Sequence, residues 1–217
     1  MQQVGEKRPR PRIETLADLI FGLSLSIGSI TLVTSPPTST ADIGSHAAAF
    51  AYTFLILITC WIIYTAFMSV LPVENNAITF LNVTLLLLVA LVPFLLNSTE
   101  VTNSTLTVDQ AGVIKDFASS LFALDLASIL AILAAFAHVI SIEEKQLVAP
   151  ELSRTFRSGR NRMAILSVMM LASIAPQFWA WTIFGVPSRL YVWYIPLISY
   201  WLGRAVRPES RNYSSGR

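Results

Sequence analysis

The sequence is short of charge, of histidine and of cysteine. Only 13% of its 217 residues are Asp, Glu, Lys or Arg, where a soluble domain carries about a quarter. A water-facing surface cannot be assembled from so few, so a soluble globule is excluded. The two histidines and the single cysteine form no HExxH or CxxC pattern, and neither a GxSxG elbow nor a phosphate-cradling glycine loop is present. The usual constellations for metal-assisted hydrolysis, acyl transfer, thiol exchange and nucleotide hydrolysis are therefore missing, and neither an enzyme nor a cofactor is expected. Cys60 stands alone in an apolar run, so it forms no internal disulfide and reads as a small packed hydrophobe. The net charge of +2 is too small to suggest a nucleic-acid partner.

What the chain has in quantity is apolar surface: 54% of its residues are hydrophobic and the mean hydropathy is +0.61, which also excludes a disordered chain. About 20 apolar residues carry a helix across the roughly 30 Å hydrocarbon layer of a bilayer. The sequence predicts six such spans, over 13–33, 46–71, 78–96, 113–142, 163–184 and 190–202. The first follows the basic opening MQQVGEKRPRPR, contains Asp18 and has no small-residue cleavage site, so it reads as a retained helix rather than a leader. Pro187 and Ser188 predict a tight turn before the last span. The final two spans then form a hairpin, with Trp179, Trp181, Tyr191 and Trp193 gathered at one membrane interface.

Charge placement orients the spans. Among the longer connecting stretches only EEKQLVAPELSRTFRSGRNR is basic. An even number of spans puts both termini on the side of that loop, and every Lys and Arg except Lys115 and Arg189 then lies on one face, which the positive-inside rule makes cytoplasmic. The triplets Asn97-Ser98-Thr99 and Asn103-Ser104-Thr105 fall in an outer loop and match the glycosylation acceptor pattern, as many polar loops do by composition alone.

Polar groups inside spans carry the functional leads, because an ionisable side chain in hydrocarbon must face protein or water. Asp18 lies one and a half turns after Arg12, near the cytoplasmic end of the first span; it either anchors at the interface or joins a network that holds the first helix. That helix is rich in small residues, Gly22, Ser24, Ser26, Gly28 and Ser29, which permit close helix approach. At helical spacing Leu23, Ile27 and Ile30 make an apolar stripe with Ser26 beside it, suited either to packing or to lining an axis. Asp125 sits in the middle of the fourth span, where it either bonds a neighbouring helix or serves as a proton-coupling carboxylate.

Several of these residues resemble the transmembrane protein 175 family of lysosomal and prokaryotic potassium channels. The family's first helix carries an Arg, three residues, then Phe-Ser-Asp; here the spacing is Arg12, three residues, then Leu16-Ala17-Asp18. Trp61 is similar to the tryptophan of the family's second helix, although Tyr64 stands where a histidine is usual. The third span, from Leu81-Asn82 through a leucine run to Pro93-Phe94, is similar as well.

The resemblance implies an all-α membrane protein with six transmembrane helices per subunit, both termini cytoplasmic, and a central pore lined by the first helix of each of four subunits. Residues 1–12 would be a basic cytoplasmic N-terminus, 13–204 one channel domain and 205–217 a cytoplasmic tail. It implies constriction at Leu23, Ile27 and Ile30, a hydroxyl ring at Ser26, and a support network of Arg12, Asp18, Trp61 and Asn82. The implied partners are further copies of the chain in a homotetramer, membrane lipids, and potassium passing Leu23, Ser26 and Ile27 without a fixed metal site. The implied location is a prokaryotic plasma membrane. Branched side chains meeting on an axis exclude a hydrated ion by dewetting and admit it on slight dilation; without acidic rings, only modest potassium selectivity is expected. The alternative reading is a proton-coupled secondary transporter using Asp125.

Overall fold

Within hydrocarbon the backbone must satisfy its own hydrogen bonds, and a helix does so inside one segment. The computed structural model, which describes residues 12–34, 39–71, 76–99, 107–142 and 150–205, is helical throughout apart from its turns and one small hairpin. In chain order the elements are α1 (Arg12–Thr34), α2 (Thr40–Met68), α3 (Asn76–Thr99), α4 (Val108–Ser141), α5 (Pro150–Ala172), the short α6 (Pro176–Ala180), β1 (Thr182–Ile183), β2 (Val186–Pro187) and α7 (Ser188–Ala205). Among the described residues three helical stretches are long and apolar enough to cross a membrane, Ile43–Met68, Asn76–Thr99 and Asp109–Ser141, and Thr15–Ile30 is a shorter apolar helix. With these helices the chain is an integral membrane protein. Residues 1–11 and 206–217, which hold nearly all of the two expected tails, and the triplet 103–105 lie outside the described residues.

α4 is the axis of the bundle. Its start is fixed locally: the Thr107 hydroxyl accepts from Gln110 N at 3.3 Å while the Gln110 side chain accepts from Thr107 N at 3.1 Å, a reciprocal cap that satisfies otherwise orphaned donors. Ala123, Ala127, Ala134 and Ala137 are buried and let neighbouring backbones come close, while Phe122, Ile129, Leu133 and Phe136 fill the space between them. Ser167 of α5 donates to the Ala127 carbonyl at 2.8 Å, and Tyr52 of α2 donates to the Trp193 carbonyl of α7 at 2.9 Å. Cys60 is buried and free, consistent with its reading as a small hydrophobe.

The C-terminal third differs from its sequence reading. The helix expected over 163–184 instead runs from Pro150 to Ala172, so residues 150–162, read as a loop, form its first half. Proline suits a first helical position, and the arginines that follow are good helix formers. The helix stops because Pro176 disfavours the α conformation at Ala175, whose ψ is 137°. The turn expected at Pro187 and Ser188 lies instead at Phe184 and Gly185, with φ of 52° and 78°, the geometry of a tight hairpin connection. Ser188 already opens α7. Trp193, placed by its sequence at the membrane interface, is 4% exposed and packs its ring 4.5 Å from Phe122. Asn97-Ser98-Thr99, read as loop, ends α3.

Arg189 departs furthest from expectation. Read as an outer-face charge, it is 1% exposed. Its Nε donates to the Ser173 carbonyl at 2.8 Å and its Nη2 to the Ile174 carbonyl at 3.0 Å. Its Nη1 shares its hydrogens among Asp116 Oδ1 at 2.6 Å, Ser119 Oγ at 2.7 Å, Ser120 Oγ at 2.8 Å and the Asp116 carbonyl at 3.1 Å. The Trp179 ring lies 5.5 Å from the guanidinium carbon. One side chain thus ties the start of α7 to the end of α5 and the first half of α4, using the planar fork that only arginine offers.

Candidate functional site

α1 has two contrasting faces. Ala17, Phe21 and Ser24 are at most 2% exposed and, with buried Gly28, form the face packed on α2 and α3. A Cβ on Gly28 would lie 3.6 Å from Thr53 Cγ2, so the two helices approach closely there. The other face is open in the single chain: Leu19, Leu23 and Ile30 are more than half exposed and Ile27 is 38% exposed. Beside this apolar row runs a second exposed row of small and polar groups, Asp18, Gly22, Ser26 and Ser29. Ser26 donates to the Gly22 carbonyl at 2.9 Å and Ser29 to the Ser26 carbonyl at 2.7 Å, which occupies their hydrogens and leaves oxygen lone pairs outward.

The expected support residues come together in part. Trp61 Nε1 of α2 donates to Asp18 Oδ1 of α1 at 3.0 Å, linking the two helices. Asn82 on α3 is 1% exposed, but its Oδ1 has no hydrogen-bond partner, and among the described residues no hydrogen bond joins it to Asp18 or Trp61. The Arg12 side chain lies outside the described residues. Tyr64, where the resembling family usually has histidine, is buried with its ring 5.8 Å from that of Phe21. An aromatic contact thus stands where the resemblance implied an imidazole. Asp125 lies apart from α1 on α4, 4% exposed, with both carboxylate oxygens unpartnered.

Among the described residues no cluster of His, Cys, Asp and Glu could hold a metal ion. The Arg189 cluster was missed by sequence reasoning, although a signal existed: Asp116, Ser119 and Ser120 share one face of α4 at helical spacing, and a lone arginine follows a turn in an otherwise apolar segment.

The architecture is that of an all-α membrane bundle with an unusually polar, open-faced first helix. The chain shares its fold with a crystal structure described as a lysosomal potassium-selective channel TMEM175 homolog from Chamaesiphon minutus. The TM-score is 0.57 at 18% identity, over 90% of this chain and 97% of that one. The all-helical membrane fold that the resemblance implied is therefore observed. No protein-family model matches the chain, and no curated protein does.

Proposed function

We propose that the chain is one subunit of a homotetrameric, passive, potassium-permeable cation channel with six membrane-crossing helices and both termini in the cytoplasm. The observation that carries this reading is the open face of α1. Lipid-facing helices do not need a row of Asp18, Gly22, Ser26 and Ser29, whereas a helix lining a water-filled axis does. With four copies around that axis, Leu23, Ile27 and Ile30 form the hydrophobic constriction, and Ser26 oxygens replace part of the water shell of a passing cation. The bond between Asp18 and Trp61 holds the cytoplasmic end of α1 in register, with Arg12 and Asn82 completing that support. No acidic ring lies at the constriction itself, so potassium preference is modest. A prokaryotic plasma membrane is the proposed location.

The test is potassium and sodium flux into proteoliposomes holding purified protein, with oligomer mass measured on the same preparation. The expected result is passive flux from a tetramer, raised severalfold by Ile27→Asn, since an amide keeps the constriction wet. A monomer or dimer, or a tetramer whose flux is unmoved by Ile27→Asn, overturns the reading.

The buried, unpartnered carboxylate of Asp125 favours a second reading, a proton-coupled transporter. Saturable, pH-driven uptake abolished by Asp125→Asn would establish it in place of passive current.

A further inference from the structure

The three connections that the proposed topology places outside the membrane differ in chemistry. Residues 35–45 and 100–107 are rich in Ser and Thr, and each stretch carries an acidic residue, Asp42 in one and Glu100 in the other. The third, from Trp181 to Ser188, reads Trp-Thr-Ile-Phe-Gly-Val-Pro-Ser and has no charged side chain. It holds the β1–β2 hairpin, and residues 181–186 are all exposed. Phe184 at the tip is 98% exposed, more than any other large apolar side chain among the described residues. Its φ of 52° puts a bulky ring in the left-handed region, where a tight hairpin turn prefers asparagine or glycine. In water the backbone conformation and the bare ring are both unfavourable, so the tip is built for an apolar surrounding.

The helices that carry the hairpin are short. α7 rises about 24 Å from Arg204 to Ser188, less than the roughly 30 Å hydrocarbon layer, and α5 continues past Arg162 only to Ala172. With Arg204 at the cytoplasmic boundary, the outer end of α7 stops short of the opposite headgroups and holds the hairpin at the depth of the outer acyl boundary. The backbone there has internal partners, as a water-poor region demands. The Ile183 carbonyl accepts from Tyr191 Oη at 3.0 Å, the Trp181 carbonyl from Ser188 N at 2.8 Å, and the Phe178 carbonyl from Ser188 Oγ at 2.9 Å. Arg189, the only charged residue between 163 and 203 in the sequence, is buried on protein acceptors. The hairpin packs on α6 and α7, whereas α1 packs on α2 and α3. The tip and the open face of α1 are thus carried by different parts of the bundle, which favours lipid over a second copy of the chain as the occupant.

We propose that the hairpin is a membrane anchor: Phe184 inserts into the outer leaflet where headgroups meet acyl chains. Trp181 and Tyr191, 67% and 40% exposed, flank it at headgroup level, where an aromatic body with a polar tip is favoured. The anchor makes up for the shortness of α7 and sets the height of the Arg189 cluster in the bilayer. The inference rests on α5 and α7 crossing the membrane, which is part of the proposed topology, and not on conduction. Flux and tip depth measured on one preparation fail separately.

Site-directed spin labelling of the full-length protein in lipid nanodiscs tests the depth of the tip. A nitroxide on Phe184→Cys is expected to collide more with oxygen, which concentrates in lipid, than with a water-soluble nickel chelate. Cys60 is buried, and the parent protein treated in the same way supplies the background. Dominant nickel collisions would place the tip in water, and protection from both reagents would place it against a neighbouring chain; either result overturns the proposal. Phe184→Asn supplies a readout without a label. Asparagine tolerates the left-handed backbone, so at a tip in water this change raises the unfolding temperature or leaves it unmoved. Insertion instead requires a fall of about 2–4 °C in nanodiscs, with Phe184→Trp close to the parent. A rise, no change, or an equal fall in Phe184→Trp overturns the proposal.

Discussion

In α4 Ser119 and Ser120 turn toward the bundle and accept from Arg189, while Phe122, Ile129 and Phe136 along the same helix are fully covered. In α1, Ser26 and Ser29 turn outward and bond only to their own helix, while Leu19, Leu23 and Ile30 stand open beside them. Both helices are apolar in composition. One is covered over most of its length by its own chain, although Val113, Phe117 and Leu124 stay exposed, and the other leaves a whole face open along its length. In a bilayer this difference matters more than hydrophobicity, because lipid tails are as apolar as leucine and burial alone does not drive helices together.

The comparison can be broken most forcefully at Arg189. Arg189→Met removes every partner of the Ser173 and Ile174 carbonyls at that point and leaves Asp116 without its cation. Breaking a buried pair from one side costs about 3–5 kcal/mol. Because Asp116 is 41% exposed, water recovers some of this, and a loss near the lower figure is expected, visible as a marked fall in thermal unfolding temperature in detergent. An unfolding temperature matching the parent would show that the cluster does not hold the end of the bundle.

Paired truncations sharpen the contrast. Leu133→Ala in α4 leaves a cavity and costs about 2 kcal/mol, at the low end for such changes because lipid rather than water is the alternative environment. Leu23→Ala in α1 is expected to change stability by less than about 0.5 kcal/mol while raising ion flux. Equal destabilisation by the two would mean that α1 packs as α4 does. The smallest effect belongs to Trp61→Phe, which deletes the indole donor to Asp18 at a partly exposed site and costs about 1 kcal/mol or less. Its informative readout is altered flux in a folded protein, since the bond fixes the angle of α1 rather than the survival of the bundle.

Much of this was legible in advance. The first four helices follow from apolar runs bounded by polar and proline-rich stretches, and the open stripe of α1 follows from residues spaced three and four apart. Asp18 and Trp61 were paired through resemblance, and their side chains do meet at 3.0 Å. The C-terminal third was less legible. Arg154, Arg157, Arg160 and Arg162 read as loop by polarity, although arginine favours helix and these residues lie on α5. Trp193 was assigned to the interface by residue type, whereas packing against Phe122 decided otherwise.

Local chemistry decided which segments are helices, where Pro176 stops one, and which rows of side chains share a face, because those properties depend on neighbours within a few residues. The sequence alone could not say that Arg189 lies inside, or that Asn82 Oδ1 and Asp125 are left without hydrogen bonds. Each of these depends on groups tens of residues apart in the chain arriving within about 3 Å of one another, or failing to, and only the packing of helix on helix sets such distances.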